Sequence, residues 1–271
     1  LGKQGGKLPR IPGLGPAAPV QVNADRSARI AVYSVKGGVG KTTLSANLAW
    51  CAARIAGRHT LLWDLDAAGG AGFLCGIENS GAKLAEDVFS KARDPIKLIQ
   101  PTPFAGLDLL PADESIRTLD DQLVRIGKRK RLAKLAEELA GHYDRIVFDC
   151  PPVMNEVSAQ VVRAADLVIV PLPPSPLSAR ALSLVAQEVA GSGKRHPPIL
   201  PVLSMLDLRR KLHREAREAN PDWPVIPYSS VVEQCAVKQM PVGAFAPNSP
   251  AAQAFARLWL GIEKKLETLP G

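Results

Sequence analysis

Aromatic residues make up only 5% of the 271 positions, so the interior must be filled mainly by Ala, Leu, Val and Ile. No apolar run approaches the roughly 18–20 residues that cross a bilayer. Nor does a charged segment followed by a short apolar stretch mark a secretory leader. The four cysteines, Cys51, Cys75, Cys150 and Cys235, are far apart and form no C-x-x-C pair. That spacing gives no support to a zinc site, an iron–sulfur centre or a dithiol redox motif, and reads as scattered buried thiols in a reducing compartment.

What is present is enough apolar material, 46%, for a full core, which excludes disorder of the whole chain. The length suits one large α/β domain better than two small ones. A formal net charge of +8 permits attraction to DNA, RNA or anionic lipid without choosing among them. Residues 1–27 are rich in Gly, Pro and Lys and lack helical or strand periodicity, so they are expected to be a flexible arm ahead of a folded domain over 28–271. Lys3, Lys7 and Arg10 there could touch a partner or simply stay solvated.

From Ile30 onward, apolar strands alternate with amphipathic helices. Strands are expected at Ile30–Ser34, Thr60–Asp64, Leu107–Leu110, Arg145–Asp149, Leu167–Val170, Ile199–Leu203 and Val225–Ile226. Helices are expected near 41–55, 119–140, 179–189, 208–219 and 251–266. This order implies an α/β fold: a doubly wound, mainly parallel sheet flanked by helices, with right-handed crossovers. Ligands in such sheets sit beyond the carboxyl ends of the strands, which puts Val35, Asp64, Asp66 and Asp149 on one rim.

The segment Lys36-Gly37-Gly38-Val39-Gly40-Lys41-Thr42-Thr43 follows a strand and opens a helix. Glycines let backbone amides turn toward phosphate oxygens, and the helix adds its N-terminal N–H groups and dipole. Lys41 would neutralise the β and γ phosphates of ATP, and the Thr42 hydroxyl would ligate Mg2+. Val35 stands where the first Gly of the general G-x-x-x-x-G-K-[ST] pattern belongs. Asp149 ends an apolar strand ahead of Cys150-Pro151-Pro152 and could hold a water bound to Mg2+ or cap the next helix.

The two-lysine loop K-G-G-x-G-K-T-T resembles the deviant Walker A loop of the ParA/MinD family of P-loop ATPases. The likeness covers roughly residues 28–267. It includes Gly106–Ala112, Tyr143–Pro152, Ala164–Leu172 and Ile226–Ser229, and is nearest to the DNA-partitioning (Soj) branch. The resemblance implies an ATPase in which Lys36 reaches the phosphates of a partner subunit across an ATP-dependent homodimer. It also implies that Asp66 polarises the attacking water, that Asp64 supports the metal region, and that Pro227 and Ser229 lie beside the adenine. The family's Pro-Gln after the second Asp is replaced by Ala67-Ala68, and its Asn by Ser204.

Arg209, Arg210, Lys211, Arg214 and Arg217 resemble the segment through which partitioning relatives contact DNA backbone without reading sequence. On one helix, 210, 214 and 217 would share a face. Lys128–Arg131 with Lys134 reads instead as a solvated helix face. Phe255, Leu258, Trp259 and Ile262 read as a packed last helix, with a lipid-facing stripe as the alternative. The resemblance thus implies a cytoplasmic, nucleoid-associated bacterial protein that moves a plasmid, chromosome region or protein cargo, with a ParB-like or cargo-adaptor activator and no membrane partner. The alternative is a MinD-like or complex-associated, nucleotide-switched scaffold with little turnover.

Overall fold

A computed structural model describes residues 26–77, 94–112, 116, 130–191 and 196–269. Strands β1 (Ala28–Val32), β2 (Thr60–Asp64), β5 (Arg145–Asp149) and β6 (Leu167–Pro171) are buried along almost their whole length. Near-continuous apolar sequence is what a strand covered on both faces requires. With β3 (Gln100–Pro101), β4 (Leu107–Leu110), β7 (Ile199–Leu206) and β8 (Val225–Pro227) they form one sheet, in the order β3-β4-β2-β5-β1-β6-β7-β8. All the pairings are parallel except β3 with β4. The expected mainly parallel, doubly covered sheet is therefore present.

Helix α1 (Lys41–Arg54) leaves β1 and packs on one face together with α9 (Pro250–Glu267). Leu48, Phe255, Leu258, Trp259 and Ile262 fill that layer, so the apolar stripe of the last helix faces the sheet. The other face is covered by α3 (Arg131–Ala140), α4 (Glu156–Ala164) and α5 (Pro176–Gly191), through Leu132, Leu135, Val161 and Val185. Arg131 is buried at 6% exposure, which corrects the expectation that the whole 128–134 basic cluster is a solvated face.

Several elements lack a sequence signal long enough to be seen. They are α2 (Gly70–Leu74), α4, α7 (Ser230–Lys238), α8 (Val242–Phe245) and the two-residue edge strand β3. Helix α4 is set by a reciprocal cap, in which Asn155 and Ser158 each accept from the other's backbone amide. Strand β7 runs past Leu203 to Leu206, and α6 (Lys211–Ala219) starts at Lys211 rather than Leu208. The arm's first 25 positions and the 119–129 part of the expected long helix lie outside the described residues.

Gly243 marks a close approach of α8 to α1. A Cβ there would lie 2.1 Å from the ring of Trp50, which is itself mostly buried. Gly243→Ala should therefore lower stability by about 1–3 kcal/mol through overpacking. A urea midpoint equal to the parent's would show that the two helices can part without cost.

Candidate functional site

The β1–α1 turn is shaped by its glycines. Gly38 (φ +69°) and Gly40 (φ +87°) occupy the left-handed region that side chains disfavour. A Cβ added at Gly37 or Gly38 would meet no atom within 4 Å, so the loop's surface there is open to an incoming group. Gly40 is also the N-cap of α1 and gives it no side-chain cap. The helix therefore begins with unpaired N–H groups and the positive end of its dipole. Val39 is buried and anchors the loop, and its carbonyl accepts from Ser204 Oγ at 3.2 Å.

Lys41 folds back under this loop, its Nζ donating to the Lys36 carbonyl at 3.2 Å. Burial pushes its pKa down, and the nearby carboxylates of Asp149 and Asp66 oppose that shift. Lys36 itself is half-buried, and its ammonium makes no ion pair among the described residues. Thr42 and Thr43 are half-buried on the first turn of α1.

Parallel register sets Asp64 beside Asp149 at the carboxyl ends of β2 and β5. Asp149 accepts from Ser45 Oγ at 2.9 Å through Oδ1, while its Oδ2 is buried without a partner. Burial pushes this carboxyl up to about 6, against the hydroxyls of Thr42 and Ser45 and the charge of Lys41. Asp64 is fully buried and raised as well, by burial first and by Asp149 second. Its two oxygens accept from the amides of Asp66 and Ala71, each at 3.0 Å. Asp64 thus organises the loop that carries Asp66, an arrangement that favours loop support over direct metal ligation. Asp66 accepts from the Ala68 amide at 3.1 Å through Oδ1.

Ser45 escaped the sequence reading, although it lies one helical turn beyond Thr42 on the same face of α1. A second hydroxyl at that spacing from Thr42 was the available signal.

Beside the loop, a cleft of about 400 Å³ runs from Gly40 and Thr43 to Pro227, Tyr228, Ser229 and Glu233. Its walls are mainly apolar, with Leu44, Leu74, Ile226 and Phe255 among them. Pro227 and Ser229 both line it, but Ser229 Oγ is occupied in capping α7, accepting from the Val231 amide.

The five basic residues expected to meet DNA are not equivalent. Arg209 is tied to Asp207 at 2.8 and 2.9 Å. Lys211 faces Glu215 at 3.7 Å. Arg214 donates to the carbonyls of Leu208 and Arg209. Arg217 is half-buried and donates to the carbonyls of Asn220 and Trp223, which withdraws it from the shared solvent face expected with 210 and 214. Arg210 stands at the N-cap position of α6 without capping it, and no hydrogen bond or ion pair of its side chain occurs among the described residues.

A nucleoside triphosphate with Mg2+ fits these residues. The open glycine turn, the uncapped helix and Lys41 match a polyphosphate, and the flanking apolar cleft matches a base. The orphaned Asp149 Oδ2 and the Thr42 hydroxyl supply the hard oxygen groups that Mg2+ takes.

A family model described as "AAA domain" matches residues 27–198. The sporulation initiation inhibitor protein Soj of Bacillus subtilis is 30% identical over 242 residues, covering 84% of this chain and 95% of its own. Among solved structures, a putative plasmid partition protein of Borrelia burgdorferi bound to AMPPNP superposes with a TM-score of 0.77. It is 20% identical, over 89% of this chain and 99% of its own. The septum site-determining protein MinD of Pyrococcus horikoshii, complexed with Mg-ADP, gives a TM-score of 0.74 at 25% identity, over 88% and 97%.

Proposed function

This chain belongs to the ParA/MinD family of P-loop ATPases, and we propose that it is an ATP-driven positioning protein that dimerises on ATP and holds DNA backbone without reading sequence. The observation that carries the nucleotide half is the orphaned, buried Asp149 oxygen behind an uncapped helix and a glycine turn. Relatives named as a chromosome partitioning protein and a cell division protein, both of Myxococcus xanthus, supply the context of partitioning and positioning.

Bound Mg-ATP supplies the reactive γ-phosphorus and the metal's charge. The amides of Gly37, Gly38, Val39 and Gly40, with those opening α1 at Lys41, Thr42 and Thr43, hold the phosphates, and Lys41 neutralises them. Thr42 and Asp149 hold the metal, with Ser45 fixing the carboxylate's orientation. Asp64 pins the Asp66 loop through its amides, so that Asp66 can accept a proton from the attacking water. Ala67-Ala68 brings no polar side chain to this turn, which accords with slow, partner-stimulated hydrolysis. In this reading Lys36 serves a second subunit's phosphates.

Dimerisation through this rim accords with its exposed apolar side chains. Val153 and Met154 follow β5, Leu177 follows β6, Leu208 and Leu212 follow β7, and Tyr228 follows β8. Apolar side chains left exposed at the ends of several neighbouring strands accord with a protein contact. In this reading Pro227 and Ser229 flank the adenine, and residues 1–27 are an accessory arm. The DNA contacts come from Arg209, Arg210, Lys211 and Arg214, with Arg217 bracing the segment. A ParB-like or cargo-adaptor protein stimulates turnover, and the protein acts in the cytoplasm on the nucleoid.

Turnover of Mg-ATP with and without duplex DNA tests this. ATP-dependent DNA binding should weaken steeply as salt rises, since each phosphate contact displaces counterions. Arg210→Glu with Arg214→Glu should reduce DNA binding at least about 10-fold, given roughly 1 kcal/mol or more per lost charge-assisted contact, while leaving ATP binding intact. DNA binding indifferent to both nucleotide and salt would sink the proposal. ATP binding without measurable turnover would instead favour a nucleotide-switched scaffold.

A further inference from the structure

Lys36 also lines another cavity, of about 280 Å³, together with Ser175, Asp207, Arg210, His213 and Tyr228 among others. His213 is 4% exposed, the one buried polar residue of α6. Its Nδ1 accepts from the Asp207 amide at 3.0 Å, so the neutral ring carries its proton on Nε2. Among the described residues that N–H has no acceptor. Burial and the Arg210 charge push this imidazole's pKa down, against the opposing charge of Asp207, which favours the neutral ring.

The surrounding charge is one-sided. Arg210 and Lys36 form no ion pair among the described residues. The one carboxylate of the lining, Asp207, is already held by the Arg209 guanidinium and amide, which keep it down at about 2. The Tyr228 hydroxyl donates outward to Glu233 at 2.8 Å, and Ser175 Oγ is engaged with Ser178. Helix α6 starts at this cavity with Arg210 as N-cap and no side-chain cap, so its first amides also lack acceptors from a cap. A cavity-facing imidazole donor, a guanidinium and an ammonium unpaired among the described residues, and a free helix start have one common complement, a small multi-acceptor anion.

We propose that this cavity is an oxyanion site of the phosphate class, in which Arg210, the His213 Nε2–H and the start of α6 hold the anion and Lys36 closes the side nearest the glycine turn. The site stands whether or not the glycine turn takes ATP. The same chemistry is offered by free phosphate and by a phosphodiester of nucleic acid. His213 distinguishes it from an exposed basic stripe: the residue is mostly buried, and its free N–H opens on the cavity rather than on the outer surface.

The test is a titration of the full chain followed by NMR of its four histidines, His59, His142, His196 and His213. Inorganic phosphate is added in one arm and a short DNA duplex in the other. Bound anion should move the His213 ring signals saturably and raise its titration midpoint by about one pH unit, as a close opposite charge does, with the other three unmoved. The response should survive Lys41→Ala, which weakens the glycine turn, and vanish in Arg210→Gln. Saturation by phosphate assigns the site to a free anion; saturation by duplex alone assigns it to the nucleic-acid backbone. A His213 that answers neither probe overturns the site. So does a response lost in Lys41→Ala and kept in Arg210→Gln, because it would then report binding at the turn.

Discussion

Lys41→Ala should cut Mg-ATP turnover at least about 100-fold, the scale of removing one donor aimed at developing phosphoryl charge. The expectation rests on how Lys41 is held. Lys41 is 6% exposed as a residue, and burial lowers its pKa, so the fold keeps a desolvated cation near the carboxylates of Asp149 and Asp66. A surface lysine would cost nothing to keep charged and would contribute little when removed. Here the charge is carried beneath an open glycine turn and beside an uncapped helix, so its natural complement is the ligand. Steady-state turnover, with tryptophan fluorescence or circular dichroism to confirm folding, decides the matter. Turnover within about threefold of the parent would remove Lys41 from the phosphate site, since a single charge-assisted hydrogen bond already exceeds that factor.

Glu263→Ala should destabilise the protein by about 3–5 kcal/mol, the range for removing one partner of a buried ion pair. Arg145, the first residue of β5, is 3% exposed at its side chain, and Glu263 on α9 is 7% exposed. They meet in a two-point fork, Nη2 to Oε2 at 2.6 Å and Nε to Oε1 at 2.9 Å. Arg58 approaches the same carboxylate at 3.6 Å. Removing Glu263 leaves two enclosed guanidinium groups facing each other without an anion. Replacing the pair together, Arg145→Met with Glu263→Leu, should recover much of the loss, because well-packed apolar groups often match a buried ion pair. Urea unfolding of the two variants distinguishes the cases. A Glu263→Ala loss below about 1 kcal/mol would mean that water reaches the pair and screens it.

The parts of the site that were legible in sequence are those carried by contiguous residues. The glycine turn, Lys41 and Thr42 announce themselves because a phosphate cradle is built from consecutive amides. Asp149 is legible because a carboxylate ending an apolar strand has no packing reason to be there. Ser45, by contrast, belongs to the site only because β5 lies under α1, a relation 104 residues apart in sequence. The roles of the basic segment were equally hidden. Five adjacent cations look alike as letters, yet Arg209 is neutralised by Asp207 and Arg217 is folded onto two carbonyls, while Arg210 alone among them is left without a partner in the described residues.

Strand and helix periods sufficed for the fold class, because a strand buried on both faces must be apolar throughout and a covering helix must show a stripe. They also placed the glycine turn at a strand's carboxyl end, where open α/β sheets bind ligands. Only the tertiary structure could decide which polar groups are satisfied. Hydrogen-bond partners are set by where distant segments come to rest, and a side chain's charge acts through whatever desolvates or neutralises it there. That the Asp149 oxygen and the His213 imidazole N–H find no partner among the described residues follows from packing alone, and local pattern carries no trace of either.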